Sequence, residues 1–288
     1  LVDHTLTISE TLHHDGDVDL ETGHIEFAGP VEIGGNLLAG FHIFSKNAVK
    51  IGKTASGTVQ TQGNLLVQGG IIGSEKEKIL VGGNLACEYI SSVNQLRCGG
   101  DITVSKHIIN SNLEAAGKII CEETITGQCR IIAFAGVTCT ELGSDQGSWV
   151  TVEIGNPTKY KEKIARIDEF MEPLIQQSIA LVDELGLQVL MNKDISGLPP
   201  EQQPEAEKKL QNYLEIEKQV TRLKEKKNEL ENQIATGLKS RVTVKQYAHP
   251  GNTVKIGLES YTIENGLSGP LEFYFDEEKK TITFERLT

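Results

Sequence analysis

Aromatic residues make up only 5% of this 288-residue chain, and there is a single tryptophan. So few rings argue against a compact globule closed around bulky side chains. The 38% of apolar residues suit an extended core of small aliphatics instead. Cationic excess is missing too. Lys and Arg number 28 against 40 Asp and Glu, and a net charge of −12 weighs against nucleic acid and anionic membrane surfaces as main partners, since both require clustered positive charge. No apolar run approaches the ~20 residues of a membrane span, and no secretory leader is evident. The chain begins at Leu1 rather than Met, which reads as a fragment or a trimmed product. Cysteines are few and odd in number (Cys87, Cys98, Cys121, Cys129, Cys139), without CxxC spacing. That pattern argues against a disulfide framework or a zinc site and for small buried side chains, which as reduced thiols fit a cytoplasmic protein.

Glycine, by contrast, occurs 29 times, and much of it belongs to one recurring phrase. Gly35-Asn36-Leu37, Gly63-Asn64-Leu65, Gly83-Asn84-Leu85, Gly100-Asp101-Ile102 and Gly117-Lys118-Ile119 begin at intervals of 28, 20, 17 and 17 residues, with a weaker copy at Gly16-Asp17-Val18. Self-similarity at this period is the mark of a solenoid. Apolar residues stand two and four places after each glycine, and positions two apart share one face of a strand. The expected core column is therefore Val18, Leu37, Leu65, Leu85, Ile102 and Ile119, followed by Leu20, Ala39, Val67, Cys87, Val104 and Cys121. The corners are read as tight turns that need positive φ, and Asn36, Asn64 and Asn84 as an amide ladder along one corner.

A coil of about 17 to 20 residues suits a right-handed parallel β-helix better than a left-handed one built from equal hexapeptide sides. The interval of 28 after Gly35 implies one coil longer by roughly ten residues. Its excess carries Phe41, His42, Phe44 and Lys46. Solenoid insertions often form a binding face, so Phe41 and Phe44 are candidate partner contacts, or else the filling of a wider core. Leu6 and Ile8 alternate near the start, and His13-His14-Asp15 reads as a solvated turn. Trp149 is expected to cover the core near the end of the first β region.

Between Lys159 and Arg241 the apolar period changes to heptads. Ile164, Ile167, Met171, Leu174, Leu181 and Leu185 form one seam; Tyr213, Ile216, Val220, Leu223, Leu230 and Ile234 form another, with Ser178 and Lys227 as polar interruptions. Pro173 is expected to kink the first helix. The linker from Met191 to Pro200 turns the chain back into an antiparallel hairpin, and its Ile195 and Leu198 are further candidate partner contacts. This segment holds 15 acidic and 14 basic residues, leaving 25 acidic and 14 basic elsewhere, so the acidic excess belongs to the β body. After it the strand pattern returns. The expected organisation is mainly β with an α insertion: β-helix over 1–158, coiled-coil hairpin over 159–240, and strands over 241–288 that continue or cap the β-helix, since a bare final coil would expose strand edges.

Glycine-Asn/Asp coils, a long helical hairpin and the return segment Ala248-His249-Pro250-Gly251-Asn252-Thr253-Val254-Lys255-Ile256-Gly257 together resemble the flagellar assembly protein A (FapA) family of bacterial cytoplasmic proteins. The septum-site regulator MinC and the bactofilins carry a similar solenoid. The resemblance implies a role in flagellar assembly or placement through protein contacts and without catalysis. It implies as partners a phosphotransferase-system IIA protein or flagellar and polar placement factors. No catalytic, cofactor-binding or metal residue is carried over by it.

Read from the residues, the chain is a non-enzymatic scaffold. The glycine corners lack the GxxxxGK[ST] order of a phosphate loop. Two other readings stand beside it. One is a bactofilin-like polymer, and homo-oligomers are compatible with an open rod. The other is a carbohydrate-active enzyme, for which Asp101, Glu122 and Glu123 would have to share a groove.

Overall fold

The computed structural model describes residues 11–74, 76–192 and 194–287; Leu6 and Ile8 lie outside them. The chain folds into two compact units. One comprises residues up to Asn156 together with those from Thr236 onward, and the other Pro157–Ala235.

The first unit is a parallel β-solenoid of about 8 turns. Its strands are short, mostly two to four residues, and alternate buried and outward side chains, as in Leu65–Val67, Leu85–Cys87, Ile102–Val104 and Ile119–Cys121. Three files of strands run along it. On the first side Val31 pairs with Val49, then Leu65, Leu85, Ile102, Ile119, Val137 and Val242 in unbroken parallel register. The second side carries Val18, Leu37, Ala55, Ile71, Ile90, Ile108, Ile125 and Leu142. On the third, Ile25 is followed by Ile43, Val59, Ile79, Leu96, Leu113, Ile131, Val152 and Val254. All these inward residues belong to one core. Each β-branched or leucyl side chain lands on its counterpart one strand spacing away, so a core that no coil could close alone becomes continuous.

This register corrects the column expected from the glycine phrase. Leu65, Leu85, Ile102 and Ile119 do form one file, but Leu37 stands on the second side between Val18 and Ala55. Gly35-Asn36 and Gly63-Asn64 therefore occupy different corners. Measured along the true file, from Val31 through Val137, the coils advance by 18, 16, 20, 17, 17 and 18 residues. The interval of 28 is a change of corner, and no ten-residue insertion exists after Gly35. Leu20 and Ala39, placed in the core by the same misalignment, are exposed.

The corners also hold for a different reason from the one expected. Gly63, Gly83, Gly100 and Gly117 have no positive φ. What demands glycine is proximity: a Cβ on Gly99 would overlap the carbonyl oxygen of Gly82, and one on Gly100 the Oδ1 of Asn84. The Asn and Asp side chains beside them brace the next coil. Asn64 Oδ1 accepts the Asn84 backbone N–H at 2.8 Å, Asn84 Oδ1 that of Asp101 at 2.9 Å, and Asp101 Oδ1 that of Lys118 at 2.7 Å. At the other corner Asp17 accepts from the Asn36 N–H at 2.6 Å, and Asn36 Oδ1 from Thr54 N–H at 3.1 Å. These are side-chain-to-backbone braces on two corners, not one amide ladder. The Asn36 N–H holds the Asp17 carboxyl below the usual carboxylate range, so the stability it lends is present above the ordinary pKa and lost as pH falls through the lowered one. Gly99→Ala forces the contact with Gly82 apart and is expected to destabilise the solenoid by about 1 to 3 kcal/mol, read from the midpoint of urea unfolding.

The five cysteines are buried and free. Burial pushes Cys87 and Cys121 up to about 12 and Cys129 up to about 11; Cys98 and Cys139 are raised for the same reason. A thiol that is neither ionised nor reachable does not attack a disulfide reagent. The native chain is expected to leave all five unmodified by Ellman's reagent at pH 8, and the denatured chain to expose all five.

Beyond the helical insertion the chain rejoins the solenoid. Val242–Ala248 pairs in parallel with Val137–Leu142, and Thr253–Ile256 with Trp149–Ile154. The remaining strands then reverse. Glu259–Thr262 pairs antiparallel with Thr253–Ile256, and Leu271–Asp276 with both Val242–Ala248 and Thr281–Arg286. Phe273, fully buried, meets Tyr261 at 5.7 Å and Phe284 at 5.8 Å between ring centroids. Much of the scarce aromatic content is thus concentrated where the last coil must be closed.

In the second unit α1 (Thr158–Leu185) runs through Pro173 as one helix and ends at Gly186, whose φ of 78° terminates it. A short helix, α2 (Leu187–Asn192), follows, so Met191 and Asn192 are helical rather than linker. The long α3 (Gln203–Leu238) returns antiparallel to α1, with Lys209 on Glu184 and Lys227 on Asp168. Ile167, Leu185, Ile216, Val220 and Leu230 are the buried seam residues.

Candidate protein-docking surfaces

Phe41 and Phe44 sit at the start of the third side, where strand His42–Ser45 crosses between Ile25–Phe27 and Thr58–Thr61. Phe41 packs half-buried against the core. Phe44 points outward in register with Glu26 and Gln60, and is half-buried by its strand neighbours. The His24 ring stacks on His42 at 4.0 Å with planes 19° apart, and lies 5.7 Å from Phe41. His42 Nε2 reaches Glu26 at 3.3 Å. Phe41, Phe44, His42 and Glu26 border an open cleft of about 610 Å³ together with Lys76 and Glu77. The cleft thus places two phenyl rings beside carboxylates and an ammonium group.

Ile195 and Leu198 are placed otherwise. Both pack half-buried on a small cluster of Leu185, Leu190, Ala206 and Leu210, joined by Val182 and Tyr213. The Leu198 N–H donates to the Ile195 carbonyl at 3.0 Å, and Asp194 accepts the Ser196 N–H at 2.8 Å. Their side chains close the turn between the helices. The large apolar residue offered to solvent there is Met191, 81% exposed, which sequence reasoning had treated as linker.

Lys227, the polar residue in the seam, donates to both carboxylate oxygens of Asp168 at 2.7 and 2.9 Å. That hydrogen bond raises the Lys227 pKa. A charged pair within an apolar seam fixes which residues of the two helices lie opposite each other.

Other polar residues singled out in the sequence have structural partners. His14 Nε2 lies 2.9 Å from the Asp17 carbonyl and 3.1 Å from Thr22 Oγ1, while His13 lies 3.2 Å from Glu32. Asp101 precedes the strands of the first side and Glu122 and Glu123 follow them, so the three carboxylates stand at opposite ends of that side and do not share a groove. Among the described residues no three His, Cys, Asp or Glu side chains are arranged to hold a metal ion. No helix among them is long and apolar enough to cross a membrane.

One residue of large structural consequence was missed. Asn252 is fully buried. Its Oδ1 accepts from Ser148 Oγ at 3.0 Å and from the Val150 N–H at 2.9 Å, and its Nδ2 donates to the His249 carbonyl at 2.9 Å. These bonds stitch the coil after the insertion to the coil before it. The return segment from Ala248 to Gly257, which carried part of the resemblance, is thus the clasp that readmits the chain to the solenoid.

Searches of curated proteins and of solved structures return no match. The family defined by the Flagellar Assembly Protein A beta solenoid domain matches residues 10–281, across the stacked coils, the helical insertion and the clasp. With coil register, insertion point and return segment all inside that span, the chain belongs to the flagellar assembly protein A family.

Proposed function

We propose that this chain acts in bacterial flagellar assembly or placement as a non-enzymatic cytoplasmic scaffold that works by docking other proteins. The observation that carries the reading is the cleft at Phe41 and Phe44. It joins Phe41, Phe44 and the His42 imidazole, on which His24 stacks, with Glu26, Lys76 and Glu77, on a strand held between two parallel neighbours. Asp101, one of the carboxylates a catalyst would draw on, braces a corner. The family adds the flagellar context. A phosphotransferase-system IIA protein and flagellar or polar placement factors are the partners to try first.

The test is capture of purified candidates by three forms of the chain: intact, Phe44→Asp, and one in which residues 160–236 are replaced by a short linker. The cleft reading expects Phe44→Asp to weaken binding at least about tenfold while the linker form still binds. Loss in the linker form alone would move the docking element to the helices. Turnover of acidic or neutral polysaccharides by the intact chain would contradict the non-enzymatic part.

A further inference from the structure

The chain's single tryptophan, expected to cover the core, is 78% exposed. Trp149 opens strand Trp149–Ile154 in register with Gln128, and its backbone is firmly held: its N–H donates to the Gly127 carbonyl at 2.9 Å, and the neighbouring Val150 N–H to buried Asn252. The backbone is held while the large indole stands in water, in a solenoid that closes Phe273 into a ring cluster. Such side chains concentrate at binding sites, where one apolar face meets a ligand.

The ground beside it is made of amides. Asn110, Asn112 and Gln128, all exposed, border an open groove of about 550 Å³ with Trp149 at one side. Asn112 also borders the adjoining hollow with Asn94 and Gln95, so the groove continues across successive coils. Asn112 Nδ2 lies 3.2 Å from Asn94 Oδ1, and Asn110 Oδ1 accepts the Gln128 N–H at 2.9 Å. Each amide presents both a donor and an acceptor, and coils repeat them at ~4.8 Å, comparable with the advance of one ring in an extended glycan. The cations nearby are neutralised: Arg97 pairs with Glu114 at 3.3 Å and Arg130 with Glu153 at 3.4 Å. The groove therefore offers no net charge to a phosphate or a polyanion, and the chain's net −12 repels both.

We propose that the groove beside Trp149 binds a neutral oligosaccharide. The indole stacks on the C–H face of one sugar ring, and Asn110, Asn112 and Gln128 exchange hydrogen bonds with hydroxyls of that ring and its neighbour. A hydroxyl is donor and acceptor at once, which matches an amide row better than it matches a carboxylate or a phosphate. The site is one of binding, with no bond made or broken.

Because Trp149 is the only tryptophan, the emission of the intact chain reports on this groove alone. Maltohexaose, cellohexaose and chitohexaose are titrated separately, with oligothymidylate as the contrasting ligand, and the heat of binding is measured in parallel. Expected is a saturable change in emission with at least one glycan, weakened about tenfold in Asn112→Ala or Gln128→Ala. Trp149→Ala should abolish the heat of binding while leaving the unfolding midpoint in place. The proposal is overturned if none of the three glycans changes emission or gives heat. It is equally overturned if oligothymidylate alone does so, or if Trp149→Ala binds as well as the intact chain.

Discussion

A chain ending at Gly257 is expected to self-associate, its light scattering rising with concentration, whereas the intact chain keeps a constant mass. Truncation there removes every antiparallel partner of the final coil. It strips Glu259–Thr262 from Thr253–Ile256, and Leu267–Ser268 and Leu271–Asp276 from Val242–Ala248. Two parallel edges are bared together, with their N–H and C=O groups unpaired and in line. Such an edge is a template for another chain: two bared ends pairing with each other close a dimer, whereas a bared end pairing with the opposite end of a second solenoid leaves growth open. Loss of Phe273 and Ile282 also uncovers the end of the core. The cap is thus the physical reason the polymer reading is disfavoured at this end of the solenoid. A truncated chain that stays monodisperse over the same concentrations would show that the edges are protected by something other than the cap.

The second large effect belongs to Asn252. Asn252→Ala leaves the Val150 N–H, the Ser148 hydroxyl and the His249 carbonyl without the partners they now have, all inside the protein. A buried group left unsatisfied costs about 1 to 3 kcal/mol, and with partial rescue by water the sum is expected at about 3 to 5 kcal/mol. Urea unfolding reads it as a shift in midpoint with little change in slope. Asn252→Asp separates the two roles of the amide: it keeps an acceptor for Val150 and Ser148, loses the donor, and sets a carboxylate near the His249 and Leu142 carbonyl oxygens. Burial raises the pKa of such a carboxyl, so its cost is small below the ordinary carboxylate pKa and grows as pH rises from there through the raised one. Stability within about 0.5 kcal/mol of the unsubstituted chain for Asn252→Ala would remove the clasp from the account.

The solenoid was legible because inward residues recur with the coil, and Leu65, Leu85, Ile102 and Ile119 needed no more than that spacing. Leu37 misled because the Gly-Asn phrase is turn chemistry. It occurs at two corners of the coil and does not say which. The true members of the file in the early coils, Val31 and Val49, follow Pro30 and Ala48, so no glycine phrase marks them. From that one slip came the supposed insertion around Phe41 and Phe44. The use of glycine was misread for a related reason: the carbonyl that excludes a Cβ at Gly99 belongs to Gly82, in the coil below, and a local reading sees φ preferences but not neighbours. Heptads made the helices plain, while Leu187 and Leu190 kept the apolar pattern going past Gly186 and hid where α1 stops.

The candidate sites were less legible, since exposure depends on what lies across the strand. Trp149 looked like core cover because it is large and apolar, yet its place at the head of a strand turns it to water. Asn252 looked like another turn residue in a His-Pro-Gly-Asn segment. Its partners lie 102 and 104 residues earlier, a distance no local pattern spans.

That one solenoid is interrupted and then rejoined is most directly tested between Thr138 and Thr243, outward neighbours across the junction where Val137–Leu142 meets Val242–Ala248. Cysteines introduced at both positions take spin labels, while the five native thiols stay buried and unlabelled. Strands in register hold the two labelled backbones ~4.8 Å apart, and the doubly labelled chain should show strong dipolar broadening that each singly labelled chain lacks. Spectra equal to the sum of the single labels would place the strands after the helices in a separate body.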